Sequence, residues 1–190
     1  MVEPVVHHRR GVIVQTPRLL LRPWRPEADL DPLAALCADP EVMRHIGTGR
    51  TLTGPEAGAL LAAIVRHWEA HGYGLWAVEV KQHAGGRPGE AVGFAGLAIP
   101  SFLPAVLPAV ECGWRLARGW WGRGLATEAG RASVAWGWER LGLQRLLAIV
   151  APGNDRSVRV AEKLGMHRGR DRVHPVTRRR LWVYELERPA

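Results

Sequence analysis

The run Trp121-Gly-Arg-Gly-Leu-Ala126 places two glycines directly after a strand-like stretch and at the head of an amphipathic one. Where a chain enters a helix, its first backbone N–H groups have no partner inside the helix, and the aligned peptide dipoles add partial positive charge. Glycine at alternate positions lets that backbone approach a ligand closely. The chemistry this suits is the holding of a phosphate. The spacing is neither the Gly-x-Gly-x-x-Gly of a dinucleotide turn nor a phosphate loop ending in Gly-Lys-Ser/Thr, which disfavours NAD and ATP. Taken alone, a short Gly-x-Gly turn is weak evidence, and most such turns are tight connections.

Other residues with chemical potential are few. Cys37 and Cys112 stand far apart without Cys-x-x-Cys or Cys/His spacing, so neither a disulfide framework nor a zinc site is expected. The chain carries 26 Lys and Arg against 18 Asp and Glu, for a formal charge of +8. The densest basic block is Arg168, Arg170, Arg172 and Arg178 to Arg180. Such a surplus attracts anions, whether nucleic acid, a phosphorylated cofactor or an acidic substrate, and charge alone does not choose among them. Nucleic-acid binding is the weak alternative, because the block lacks the aromatic-plus-basic strand pattern of an RNA-recognition sheet and no helix-turn-helix is evident.

The elements that position these residues follow from hydrophobic period and punctuation. The 190 residues suit one domain, with residues 1–15 as a tail and 16–190 as the folded unit. That tail lacks the apolar run of a secretory signal and no apolar stretch reaches bilayer length, so a cytoplasmic protein without a membrane span is expected. Leu19 to Leu21 read as a strand stopped by Pro23, and 29–38 as a short helix. Thr53 and Glu56 have capping-box spacing ahead of a helical stripe at Ala57, Leu60, Leu61, Ile64 and Trp68, closed by Gly72. Trp76, Val78 and Val80 alternate with polar positions, and 91–97 completes a hairpin. The proline-broken segment 99–109 is a loop, followed by a strand at 110–116. Leu125, Ala129, Ala132 and Trp136 share a helical face, and 146–150 is a buried strand. Asn154 caps a helix that runs to Leu164 and stops at Gly165. The stretch from His167 and the run 181–186 form a closing antiparallel pair. The expected class is α/β, with a mixed, mostly antiparallel central sheet flanked by helices.

Three segments taken together say more than the glycine turn. Glu111-Cys-Gly-Trp-Arg-Leu116, Trp121-Gly-Arg-Gly-Leu-Ala-Thr-Glu-Ala129 and Asn154-Asp-Arg-Ser-Val-Arg-Val-Ala-Glu-Lys-Leu-Gly-Met166 resemble, in order and spacing, the acyl-CoA-binding core of the GNAT N-acetyltransferases. Thr16-Pro-Arg-Leu-Leu-Leu-Arg-Pro and Asp39-Pro-Glu-Val-Met-Arg-His-Ile46 are similar to the branch that acetylates ribosomal-protein N-termini. The resemblance implies a GNAT fold with a splayed parallel strand pair, acetyl-CoA as cofactor, and direct acetyl transfer to a primary amine in a ternary complex. The amine can belong to a protein N-terminus or a small molecule.

The resemblance also implies roles. The amides of Gly122, Arg123, Gly124, Leu125, Ala126 and Thr127 cradle the pyrophosphate beside Trp121, which stands where the superfamily often has Gln or Arg. Arg123 adds charge there, and the strand carrying Trp114 and Leu116 pairs with the pantetheine arm. Asn154 bonds the pantetheine amides, besides serving as a helix cap. Glu111 matches the carboxylate that takes the amine proton through water, its alternative being a surface or salt-bridged glutamate. Many relatives protonate the leaving thiolate with a Tyr, but that position holds Ala161. Ser157 resembles the serine offered to the sulfur in the ribosomal-protein branch, with helix-start hydrogen bonding as its competing role. The loss of the Tyr keeps open a GNAT-fold module that binds acyl-CoA without turnover. Acceptor recognition is expected from 43–53, the helix ending at Trp68 and the loop 99–109. The family precedent allows a monomer or a homodimer.

Overall fold

Period-two burial divides the sheet into two faces. In β4 (Leu75–Val80), Trp76, Val78 and Val80 enter one buried cluster while Ala77 enters the other. The same alternation places Ala95 and Leu97 of β5 (Ala91–Ala98) on the first face and Phe94 on the second. Each face needs its own cover. The first is packed by α4 (Leu125–Arg140) and α5 (Asp155–Lys163), with Leu125, Ala129, Ala132, Trp136 and Ala161 in the shared cluster. The second is packed by α1 (Pro26–Ala38), α2 (Pro40–Met43) and α3 (Gly54–His71), through Leu33, Cys37, Met43, Leu61 and Ile64. Trp76, with no exposed surface, sits edge-on between Trp68 and Trp136.

The computed structural model describes residues 6–8 and 11–189. The remaining strands are β1 (Val6–His8), β2 (Gly11–Gln15), β3 (Leu19–Arg22), β6 (Glu111–Leu116), β7 (Arg145–Val150), β8 (His167–Arg168), β9 (Arg172–Val173) and β10 (Arg180–Glu187). Their order across the sheet is β1-β2-β3-β4-β5-β6-β7-β10-β8, with β9 paired to β10. Every described pairing is antiparallel except β6 with β7. This is the mixed, mostly antiparallel α/β arrangement expected from the hydrophobic pattern.

Two differences have physical causes. The sheet begins upstream of residue 16: β2 pairs with β3, and Val14 is buried beside Leu19 and Leu21. The stretch before Thr16 offers too few alternating residues to announce a strand by itself. The first helix starts at Pro26 rather than Asp29, because proline at the first helical position has its φ preset and needs no N–H partner.

The polar anchor of α1 is deep. Asp29, with no exposed surface, accepts Arg22 Nη1 at 2.7 Å and Nη2 at 2.8 Å, and the Arg25 amide at 2.7 Å. Arg22 also donates from Nε to Glu79 at 2.8 Å. Removing one member of such a buried pair leaves an uncompensated charge, at a cost of about 3–5 kcal/mol. Asp29→Ala is therefore expected to lower the melting temperature by about 10 °C, at about 2–4 °C per kcal/mol for a domain this size. Scanning calorimetry checks this, and a drop under about 3 °C would mean that Glu79 alone balances Arg22.

Candidate cofactor and acceptor site

Strands β6 and β7 pair at a single register position, Glu111 with Leu147, where the Leu147 N–H donates to the Val110 carbonyl at 2.9 Å. Beyond it the two strands separate toward their C-terminal ends. The separation leaves strand-edge peptide groups of β6 facing a cleft instead of a neighbour, which a ligand with amide groups can satisfy. The cleft has a volume of about 510 Å³.

The glycine turn stands at the wide end. Gly122 has φ of 75° and Gly124 φ of 76°, the left-handed region that glycine occupies without strain. Gly124 caps α4, whose first described bond runs from the Glu128 N–H to the Gly124 carbonyl at 3.0 Å. The N–H groups before Glu128 belong to the unpaired first turn. Two further contacts hold this helix end in place. Glu128 accepts the Thr16 hydroxyl at 2.6 Å, the Arg18 amide at 2.8 Å and Arg18 Nε at 2.6 Å, while Arg18 Nη1 donates to the Arg123 carbonyl at 2.8 Å. Burial pushes the Glu128 carboxyl up, but the bonds from Thr16 and Arg18 outweigh it, and the group lies below the usual carboxylate range. The Thr16-Pro-Arg motif, just before β3, thus braces the glycine turn and the start of α4.

Trp114 and Leu116 of β6 line the cleft, as do Trp121, Gly122, Gly124, Leu125, Ala126 and Thr127 of the turn. Asn154 and Ser157, at the start of α5, line the opposite wall. Asn154 Oδ1 accepts the Ser157 N–H at 3.3 Å, so the helix-cap role is present and leaves the amide nitrogen of Asn154 for other bonds. Trp121 donates from Nε1 to the Leu116 carbonyl at 2.7 Å, and its ring lies 4.5 Å from the Arg156 guanidinium. Arg123 is not itself in the lining: its side chain stacks at 4.8 Å on Trp120, which is, and its carbonyl is the group engaged by Arg18. Glu111 is also outside the lining. It stands at the narrow end, where the strands still pair, and burial pushes its carboxyl up to about 7 against smaller lowering effects of the Ile149 backbone and Arg115.

Several lining residues carried no assignment from sequence. Arg156, Arg159 and Lys163 present cations from α5, and α2 brings Glu41, while Arg44 and His45, which also line the cleft, belong to the 43–53 connection expected to meet the acceptor. The i, i+3, i+7 spacing of Arg156, Arg159 and Lys163 was a readable signal, since those positions share a helix face. Burial first, then Arg44, holds the His45 imidazolium below its ordinary value, partly offset by Asp155 and Glu41. Arg115 also lines the cleft, from the α1 side. Ala161 is fully buried in the core, and neither Tyr73 nor Tyr184 is among the lining residues. Cys112 is buried, its thiol pushed up to about 12 by burial and then by Glu111.

An acetyltransferase (GNAT) domain profile matches residues 18–167. The chain belongs to the GNAT acetyltransferase family. Among solved structures it is similar to an acetyltransferase from Agrobacterium tumefaciens str. C58, at 27% identity and a TM-score of 0.77, covering 93% of this chain and 94% of that one. It shares its fold with RimL, the ribosomal L7/L12 alpha-N-protein acetyltransferase solved in complex with coenzyme A, at 14% identity and a TM-score of 0.71, covering 92% and 97% of the two chains. A curated relative, the uncharacterized protein YkkB of Bacillus subtilis (strain 168), is 37% identical over 102 residues, which are 54% of this chain. The match spans 55% of that relative, about half its length. No helix among the described residues is long and apolar enough to cross a membrane.

Proposed function

We propose that this protein is an acetyl-CoA-dependent N-acetyltransferase acting on a primary amine by direct transfer in a ternary complex. The observation that carries the reading is the opening between β6 and β7, with a left-handed glycine turn and the start of α4 at its wide end. The residues present fit the cofactor. Unpaired amides from 122 to 127 suit a pyrophosphate. Arg156, Arg159 and Lys163 add positive charge on the facing wall, Trp114 and Leu116 line the path of the pantetheine arm, and Asn154 offers its amide to that arm. When bound, acetyl-CoA supplies an activated thioester whose acetyl group an uncharged amine can accept.

Glu111 at the narrow end holds or takes the amine's proton through water, and its raised carboxyl is matched to proton transfer near neutrality. Ser157 Oγ, on the α5 wall, is the hydroxyl available to give a proton to the departing sulfur. The family likeness to RimL supports a protein N-terminus as acceptor, alongside small amines. A second reading, acyl-CoA binding without turnover, draws on Ala161 where many relatives carry a Tyr. Release of free coenzyme A in the presence of an amine would remove it.

The first test is thermal stability with acetyl-CoA. At a hundred times its dissociation constant a ligand adds about 2.7 kcal/mol, which is a rise of about 5–10 °C for a domain this size. That rise is expected with acetyl-CoA and not with NAD or ATP. No rise with acetyl-CoA would overturn the proposal.

A further inference from the structure

Arg115 lies on the acceptor side of the sheet, opposite α4. Its guanidinium packs over the Phe94 ring at 4.9 Å, and Nη1 points to Cys37 Sγ at 3.7 Å and Met43 Sδ at 3.5 Å. Its Nε is buried without an acceptor, and no ion pair among the described residues includes it. Sulfur atoms are weak acceptors, and an aromatic face offsets only part of the desolvation of a cation.

The surroundings supply no bonded counter-charge among the described residues. Cys37 stays a neutral thiol at neutral pH, because burial raises its pKa more than Arg115 lowers it. Glu111 shares a face of β6 with Arg115 and its charge favours the guanidinium, but it stands four residues away, about 13 Å along the strand backbone, and forms no ion pair or hydrogen bond with it. Around His45 the same cleft carries further positive charge. Arg44, also in the cleft wall, has its nearest carboxylate, Glu41, at 3.9 Å, and Arg179 donates to the Gly47 carbonyl rather than to an acid. A methionine or leucine would fill this apolar site at lower cost, so packing does not account for an arginine here.

The guanidinium borders the cleft on the face opposite the helix that carries the glycine turn. We infer that Arg115 is the specificity residue of the acceptor subsite, and that it binds a carboxylate carried by the acceptor. This inference rests on the acetyltransferase reading, which puts the reacting amine near Glu111. From Glu111 to Arg115 the strand spans about 13 Å, which an extended peptide covers in about four residues. The acceptor is therefore a peptide N-terminus with an acidic side chain within its first four residues. Free α-amino acids, whose carboxylate is adjacent to the amine, are too short.

The test uses the full chain, acetyl-CoA and two matched pools of peptides beginning with Ser, Ala, Thr or Met. One pool carries Asp or Glu at positions two to four, and the other carries Asn or Gln. The wild type is expected to prefer the acidic pool by about 30-fold in kcat/KM, the scale for losing one partner of a desolvated charge pair. Glutamate is expected to be a poor acceptor. In Arg115→Met the preference falls to near one, mainly through KM, while the Kd for acetyl-CoA stays within about twofold. Arg115→Lys restores part of the preference and controls for folding.

Equal use of the two pools by the wild type overturns the inference, as does acetylation of neither pool by protein that binds acetyl-CoA. A loss of acetyl-CoA affinity in Arg115→Met that matches the loss of activity also overturns it, and reassigns the guanidinium to the cofactor. Failure of the acetyltransferase reading itself looks different, because acetyl-CoA then produces no thermal shift.

Discussion

Gly124→Glu is expected to weaken acetyl-CoA binding by about 100- to 1,000-fold. Three effects act in one direction. The glycine occupies φ of 76° as the cap of α4, a conformation that a side chain strains. A carboxylate there repels the phosphates that the turn is proposed to hold. A shifted turn also loses one or two charge-assisted amide bonds, worth about 1.5–3 kcal/mol each, at about 1.4 kcal/mol per tenfold in affinity. A Cβ at this position lies 3.6 Å from Arg18 Nη2, an ordinary contact, so the cost to the fold comes from the φ and is read separately, in the melting temperature of the unliganded variant. Isothermal titration measures it directly. Gly119→Glu is the control: it adds the same charge nearby, at an exposed position with open space around its Cβ and an ordinary φ. Equal loss in both variants would assign the effect to surface charge, and unchanged affinity in Gly124→Glu would refute the turn as the phosphate site.

Glu111→Gln is expected to lower kcat by about 100-fold, the scale of a positioned general base, with little change in acetyl-CoA affinity. The pH profile carries the sharper information. With its carboxyl pushed up to about 7, the wild type's kcat/KM should carry an acidic limb breaking at about 7, besides the limb set by ionisation of the free amine. The glutamine variant should lose the first of these. Stability moves the opposite way. The folded state holds this proton more tightly than the unfolded chain, so its contribution is present at acidic pH and is lost as pH rises from the ordinary carboxylate range through about 7. Glu111→Gln should therefore melt higher than wild type above pH 7 while turning over more slowly. Ser157→Ala, which keeps the Asn154 cap bond to its backbone N–H, should also lose turnover more than binding. Normal rates in both variants would show that the proton-transfer roles are wrong.

Local periodicity accounts for much of what the sequence alone determined. Trp76, Val78 and Val80 alternate because one face of β4 is buried against α4, and Leu125, Ala129, Ala132 and Trp136 share the helical face that covers it. Each of these signals depends on residues within a few positions of one another, as do the Asn154 cap and the two left-handed glycines of the turn. The lining residues Trp114, Leu116, Trp121, Asn154 and Ser157 were reachable because the motifs that carry them are contiguous.

What the tertiary structure decided depends on contacts between distant segments. Thr16 and Arg18 meet Glu128 across more than a hundred residues, and nothing near Thr16 announces that it braces a helix end. The strand at Gly11–Gln15 exists because β3 offers it an edge, and its own residues carry too weak a pattern to define it. The family resemblance gave Arg123 a charge role beside a phosphate, and only the fold shows its side chain stacked on Trp120 at the cleft wall. Glu111 and Arg115 stand on one strand face by simple alternation. Only the fold sets the first where β6 and β7 begin to part and surrounds the second with Cys37, Met43 and Phe94 from elements far away in the chain. Burial and the lack of a bonded acceptor for the Arg115 Nε belong to the assembled neighbourhood, which residue type and spacing do not encode.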